Sequence, residues 1–197
     1  MSITTHERPG VYSSYGASSL IRGSGGRKTV GLVAVNTKAT AKTVYTITSY
    51  EEAVTTFGSA GGQDMAELIR VILLNGAAAV AAVPIAASTD YEAGFAVLEG
   101  QENVSVVVCD STTQTDQQDL RDSVAAASAA RRERIAVVGG AASETVTNLI
   151  SRAAALNSER VVLVAPGGTD EDGTALAGLT AAAAVAGAMA ARSDPAP

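Results

Sequence analysis

Short apolar runs rich in β-branched residues recur along this chain with helix-length segments between them, and this rhythm limits the fold more than any other feature. The runs are Thr29–Asn36, Ala79–Pro84, Val104–Cys109, Ile135–Val138 and Val161–Ala165. Each is too short for a helix and reads as a strand buried on both faces. Strands spaced by helices pair in parallel through right-handed crossovers. The expected architecture is therefore α/β: a mostly parallel open sheet with helices on both faces, in three layers, preceded by an extended N-terminal arm.

The intervening segments carry helix signals. Ser49-Tyr50-Glu51-Glu52 reads as a capping box in which Ser49 takes a free amide and Glu52 reaches back to the cap, with the helix stopping at Gly58. Met65–Leu74 puts Leu68, Ile69, Ile72 and Leu73 on one face before the stop signal Asn75-Gly76. Thr89-Asp90-Tyr91-Glu92 reads as a second capping box, for a helix to about Glu99. Thr115-Asp116-Gln117-Gln118 is expected to cap a helix through Arg131, and Ser143 to begin one ending near Leu156. A further strand, Thr43–Thr48, shows alternation.

After Val161–Ala165 the chain breaks at Pro166-Gly167-Gly168, passes the acidic residues Asp170, Glu171 and Asp172, and enters an Ala-rich stretch, Thr174–Ala191, with no charge. A helix without a polar face must be enclosed by its neighbours. Alanine drives bilayer insertion weakly, so a core helix is the reading rather than a membrane span.

Residues 1–28 differ from the rest and are read as an arm, with residues 29–197 as the core domain. Arg8-Pro9-Gly10 forms a rigid corner, and Val11, Tyr12 and Tyr15 lie in a stretch able to pair with another sheet edge. Gly23, Gly25 and Gly26 supply a hinge. The formal charge of −6 and the seven aromatic residues exclude a basic, base-stacking surface for nucleic acid. The single cysteine, Cys109, excludes an internal disulfide, and MSITTHERPG holds no apolar signal core.

Chemistry in an open parallel sheet belongs beyond the carboxyl ends of the strands, where Asp110, Gly139, Gly140 and Gly167 fall. They are the residues on which a Rossmann-like nucleotide- or small-ligand-binding domain or enzyme would work. The turn at Gly139-Gly140 lacks the three-glycine dinucleotide spacing, and Gly26-Arg27-Lys28-Thr29 leads into a strand where a P-loop leads into a helix. Cys109 is expected as a buried structural residue, since the sole histidine, His6, lies in the arm. The acidic loop reads as solvated. No catalytic residue, metal site or cofactor is expected.

Two tracts carry a family resemblance. THERPGVY at residues 5–12, followed by the Gly/Ser joint and VGLVAV, is similar to the start of contractile phage tail sheath proteins. ALNSERVVLVAPGG, followed by AAAAVAGAMAARSDPAP, resembles the later part of their core. The resemblance implies a subtilisin-like core without a protease triad, in a subunit that polymerises helically with itself around a tail tube protein and contracts to drive the tube through a host envelope. It implies terminal arms that donate strands to neighbours, with Arg8, Pro9, Gly10, Val11, Tyr12 and Tyr15 in the N-terminal arm. Baseplate and tail terminator proteins are further implied partners, and the implied location is the virion, after assembly in the bacterial cytoplasm. Members continue past the Asp-x-x-Pro exit into another domain, whereas this sequence stops at Pro197. The expectation is a fragment or a shortened sheath protein.

Overall fold

A computed structural model describes residues 28–169, 172, 173 and 175–192. The arm residues Arg8, Pro9, Gly10, Val11, Tyr12 and Tyr15, and the hinge residues Gly23, Gly25 and Gly26, lie outside the described residues, as do Asp170 and Glu171.

The elements follow the expected rhythm. Strand β1 (Thr29–Val35) leads to the short β2 (Tyr45–Ile47) and helices α1 (Tyr50–Phe57) and α2 (Met65–Leu74). Next come β3 (Ala79–Ile85), α3 (Tyr91–Glu99), β4 (Val104–Cys109) and α4 (Gln114–Ala129). The chain ends through β5 (Ile135–Gly139), α5 (Val146–Leu156), β6 (Val161–Val164) and α6 (Leu179–Ala191). The six strands form one sheet in the order β2-β3-β1-β4-β5-β6. All pairs are parallel except β2 with β3.

Alternate residues of each strand feed two separate cores, as the period of two demands. Val30, Leu32 and Ala34 of β1 join Val80, Val108 and Val137 under α1, α2 and α6. Val33 joins Val83, Ile85, Val107 and Val138 under α3, α4 and α5. Three helices thus cover each face, giving the three layers expected.

Helix α6 is enclosed on one side only, not almost wholly as its lack of charge suggested: Ala184 and Val185 are half-buried and Ala188 is exposed. Leu179, Ala182, Ala183, Ala186, Gly187 and Ala190 are all buried. A Cβ on Gly187 would stand 2.4 Å from the carbonyl oxygen of Ile72 in α2. The small residues therefore set how closely the two helices lie. At the far end, the Lys28 amide donates to the Ala190 carbonyl at 3.0 Å, tying the start of the domain to the end of α6.

Several boundaries differ from the sequence reading. Val161–Ala165 was expected to be buried on both faces, but β6 is the last strand of the sheet and all four of its residues are half-buried. Helix α6 begins at Leu179, because Thr169 and Ala175 form a β-bridge and Leu176 donates to Gly168, which holds this stretch in a returning loop. Thr43–Thr48 shortens to β2, antiparallel at the opposite edge.

Four helix starts also differ from the sequence reading. Ser49 accepts from the Glu52 amide as expected, but the Glu52 carboxylate reaches Thr48, one residue before the cap. At Thr89–Glu92 a 3₁₀ turn, Ser88–Asp90, precedes α3 and no side chain caps it, while Asp90 pairs with Lys42. Helix α4 starts after Thr113, and Asp116 bonds the Ser111 hydroxyl instead of capping. Ser143 has φ +55° and stands outside α5, which Thr145 caps.

The run Arg131-Arg132-Glu133-Arg134 contains a structural residue. Arg134 is buried and donates to the carbonyls of Leu98, Glu99 and Gln101, closing the C-terminal end of α3. Burial pulls this guanidinium below its ordinary value.

Replacing Gly187 by Ala tests the α2–α6 contact. Helix propensity alone would favour Ala by about 1 kcal/mol. Overpacking against a backbone carbonyl is expected to outweigh this and leave the variant less stable by about 2 kcal/mol, read as a lower urea midpoint at unchanged slope.

Candidate functional site at the carboxyl ends of the strands

The order of the sheet creates a switch point. From β1 the chain goes first to the edge strand β2, returns to β3 beside β1, then crosses over so that β4, β5 and β6 build the other half. Ligand crevices in open α/β sheets lie where such halves part, here between the carboxyl ends of β1 and β4.

In this chain that position is bridged from within. Asp110, immediately after β4, accepts the Val35 amide at 3.0 Å through one carboxylate oxygen and the Tyr91 hydroxyl through the other. Its own amide donates to the Val33 carbonyl at 3.3 Å. One side chain thus ties β1, β4 and the start of α3 together. Burial raises the Asp110 carboxyl above its ordinary value, against the opposing effect of the Tyr91 and Val35 hydrogen bonds. Burial, then the neighbouring Asp110, pushes the Tyr91 phenol far up, so it stays a hydrogen-bond donor.

A second network spans the ends of β4 and β5. Gln117, fully buried on α4, donates to the carbonyls of Ser111 at 3.1 Å and Gly139 at 2.8 Å. Its oxygen accepts from Arg152 of α5, which also donates to the Thr112 carbonyl and pairs with Glu144 at 3.0 Å. Glu144 in turn accepts the Ala141 amide. Against the upward pull of burial, Arg152 and that amide hold the Glu144 carboxyl below its ordinary value. The buried charges are therefore paired and hydrogen-bonded, as a low-dielectric site requires.

The glycines singled out from the sequence serve packing. A Cβ on Gly139 would lie 2.5 Å from the backbone of Gly178, and one on Gly167 would lie 1.9 Å from the Leu176 carbonyl oxygen. Gly140 donates to Val164 and accepts from Gly178. The loop returning to α6 thus lies directly on the glycine turns, in the space a phosphate would need. Cys109 is fully buried, its thiol pushed up to about 12 by burial, in line with the structural role expected. Asp110, Gly139, Gly140 and Gly167 all lie at this end of the sheet, joined by internal contacts.

Sequence reasoning did not single out Tyr91, Gln117, Glu144 or Arg152. Two signals were present: Gln117 occupies a core position in line with Leu120, Val124 and Ala127, and Arg152 is the sole charge within α5. Among the described residues no three His, Cys, Asp or Glu side chains gather as a metal cage would need, and no helix is long and apolar enough to cross a membrane.

The Asp110 bridge makes a pH-dependent prediction. Tyr91→Phe removes a hydrogen bond that favours the ionised carboxylate, so the folded-state value of Asp110 rises further. The variant is expected to lose about 1–2 kcal/mol at neutral pH, where a buried carboxylate is left short of a donor. The loss should shrink as pH falls through the raised folded-state value, because the native state then takes up the proton more readily than the unfolded chain. Urea titrations of both proteins at neutral and mildly acidic pH check this; a constant gap would contradict it.

No protein-family model and no curated protein matches the sequence. Solved structures do. A sheath tail protein from Desulfitobacterium hafniense superimposes with a TM-score of 0.64 at 13% identity, over 92% of this chain and 62% of that one. A sheath tail protein from Listeria innocua gives 0.63 at 15%, over 90% and 59%. The helical sheath of the anti-feeding prophage, in its contracted state, gives 0.58 at 17%, over 93% and 52%. The chain spans about half to three-fifths of the length of these structures. Across nine-tenths of its length, this chain has the fold of tail sheath proteins.

Proposed function

We propose that this chain is a structural subunit of a contractile tail sheath, in a phage or a phage-derived injection machine. It polymerises helically around a tail tube and contracts to drive the tube through the host envelope. The observation that carries the reading is the fold match over nine-tenths of the chain to sheath proteins, one of them described as a helical sheath in its contracted state. The bridged switch point supports it, because Tyr91, Asp110 and the Gly178 loop take up the positions that a Rossmann-like ligand would use.

In this reading residues 1–28 form the arm and joint, and residues 29–197 the core. Arg8, Pro9, Gly10, Val11, Tyr12 and Tyr15 engage a neighbouring subunit, and Gly23, Gly25 and Gly26 let the arm reorient while the cores rotate. An extended segment costs little to reposition at such a joint, while main-chain hydrogen bonds hold it to a sheet edge. A heterologous contact of this kind repeats without closing and builds a tube. The partners are other copies of the chain, the tail tube protein, and the baseplate and tail terminator proteins at the two ends. The assembled location is the virion or a phage-derived tail, built in the bacterial cytoplasm. The core works through its surfaces and has no reaction of its own.

Removal of residues 1–22 tests the arm. The shortened chain is expected to keep its circular dichroism spectrum and melting transition while losing ordered polymers in sedimentation. Normal polymers from the shortened chain would contradict the reading.

A further inference from the structure

A cavity of about 540 Å³ opens at the amino ends of β1 and β4, the end of the sheet opposite the bridged switch point. Lys28, Thr29, Glu102, Asn103, Ser105 and Glu133 are among the residues that line it. Its acceptors are not used up. The Ser105 hydroxyl oxygen is buried with no hydrogen-bond partner, and the Glu102 carboxylate enters no ion pair among the described residues. Glu133 meets Arg160 and keeps acceptor capacity for a second donor. A buried hydroxyl without a partner is costly, so a cavity that holds one calls for a polar occupant.

The chain itself brings donors to this opening. Lys28 lines the cavity and its amide is fixed on the Ala190 carbonyl at 3.0 Å, so the residues that precede it begin here. They read Arg22-Gly23-Ser24-Gly25-Gly26-Arg27. Six residues reach about 20 Å at most, which keeps the stretch beside the cavity at an effective concentration in the millimolar range. Its glycine amides have no side chain to shield them, and its two arginines match Glu102 and Glu133 in charge. Tether and local charge together select one occupant.

We propose that this cavity is the seat of the chain's own Gly/Ser joint, residues 22–27, with its arginines against Glu102 and Glu133 and a donor of the joint on the Ser105 hydroxyl. The seat gives the arm a fixed point of departure at the amino ends of the strands. Once a neighbour draws the joint out, Gly23, Gly25 and Gly26 are free to swing. The inference rests on the sheath reading for what the arm does beyond the seat.

The test is the rate of trypsin cleavage after Arg22 and Arg27 in the full chain, followed by mass spectrometry, with Glu102→Gln/Glu133→Gln as the probe. Both glutamates are exposed, so melting curves of the two chains should coincide. Where opening and closing are fast, cleavage reports the unseated population. The double variant is expected to be cut at these sites at least about fivefold faster, while cleavage after Glu7 by a glutamate-specific protease stays equal. Equal trypsin rates in the two chains would overturn the proposal. So would protection that fades on dilution, because the joint would then sit in the cavity of another copy. Electron microscopy of the same samples with the tube protein separates the two readings. A protected joint in chains that never coat the tube would keep the seat and sink the sheath role, and coated tubes with equal trypsin rates would do the reverse.

Discussion

Between Gly187 and the carbonyl oxygen of Ile72 there is room for a hydrogen and none for a methyl group. Much of one half of the molecule depends on that closeness. It lets α6 settle against α2 and the strands at once, so that Ala182, Ala183, Ala186 and Ala190 bury completely with little volume to fill the gap. With seven aromatic residues in the whole chain, the core cannot be built by a few large side chains. It is built by near approach of backbones, which gives dense packing and a rigid body.

The same economy closes the far end of the sheet. Gly139 and Gly178 let the loop before α6 lie across the strand ends, and Asp110 joins the two halves where they would otherwise part. Gln117, Arg152 and Glu144 satisfy one another and the loop backbones around them. A doubly wound sheet usually keeps this end open for chemistry. Here its polar groups are spent on holding β1, β4, β5 and their loops in fixed relation. Such a body suits a subunit that must turn without deforming.

Much of this fold was legible because β-branched runs and helix signals alternate so regularly. The strands, the helix stop at Asn75-Gly76 and the burial of one side of the charge-free helix all follow from local pattern. What failed was information that depends on neighbours. VVLVA reads as doubly buried because apolarity records what a strand tolerates, whereas its place at the sheet edge is set by topology. Thr89 and Thr115 match a capping motif, yet Thr89 lies inside a 3₁₀ turn and Thr115 inside α4, which already starts at Gln114. Glycines 139 and 167 sit where phosphate-binding glycines sit, and distant residues, Gly178 and Leu176, decide that they pack backbone instead. Gln117 and Arg152 were visible as polar residues in apolar surroundings, but their pairing joins two helices that sequence alone does not bring together.

The central claim, that this rigid domain is a sheath building block, is tested most directly by electron microscopy of the full chain mixed with the tube protein of its own particle. The account predicts tubes coated with a regular helical striation that is absent from tubes alone. Bare tubes beside dispersed, fully folded chains would contradict it.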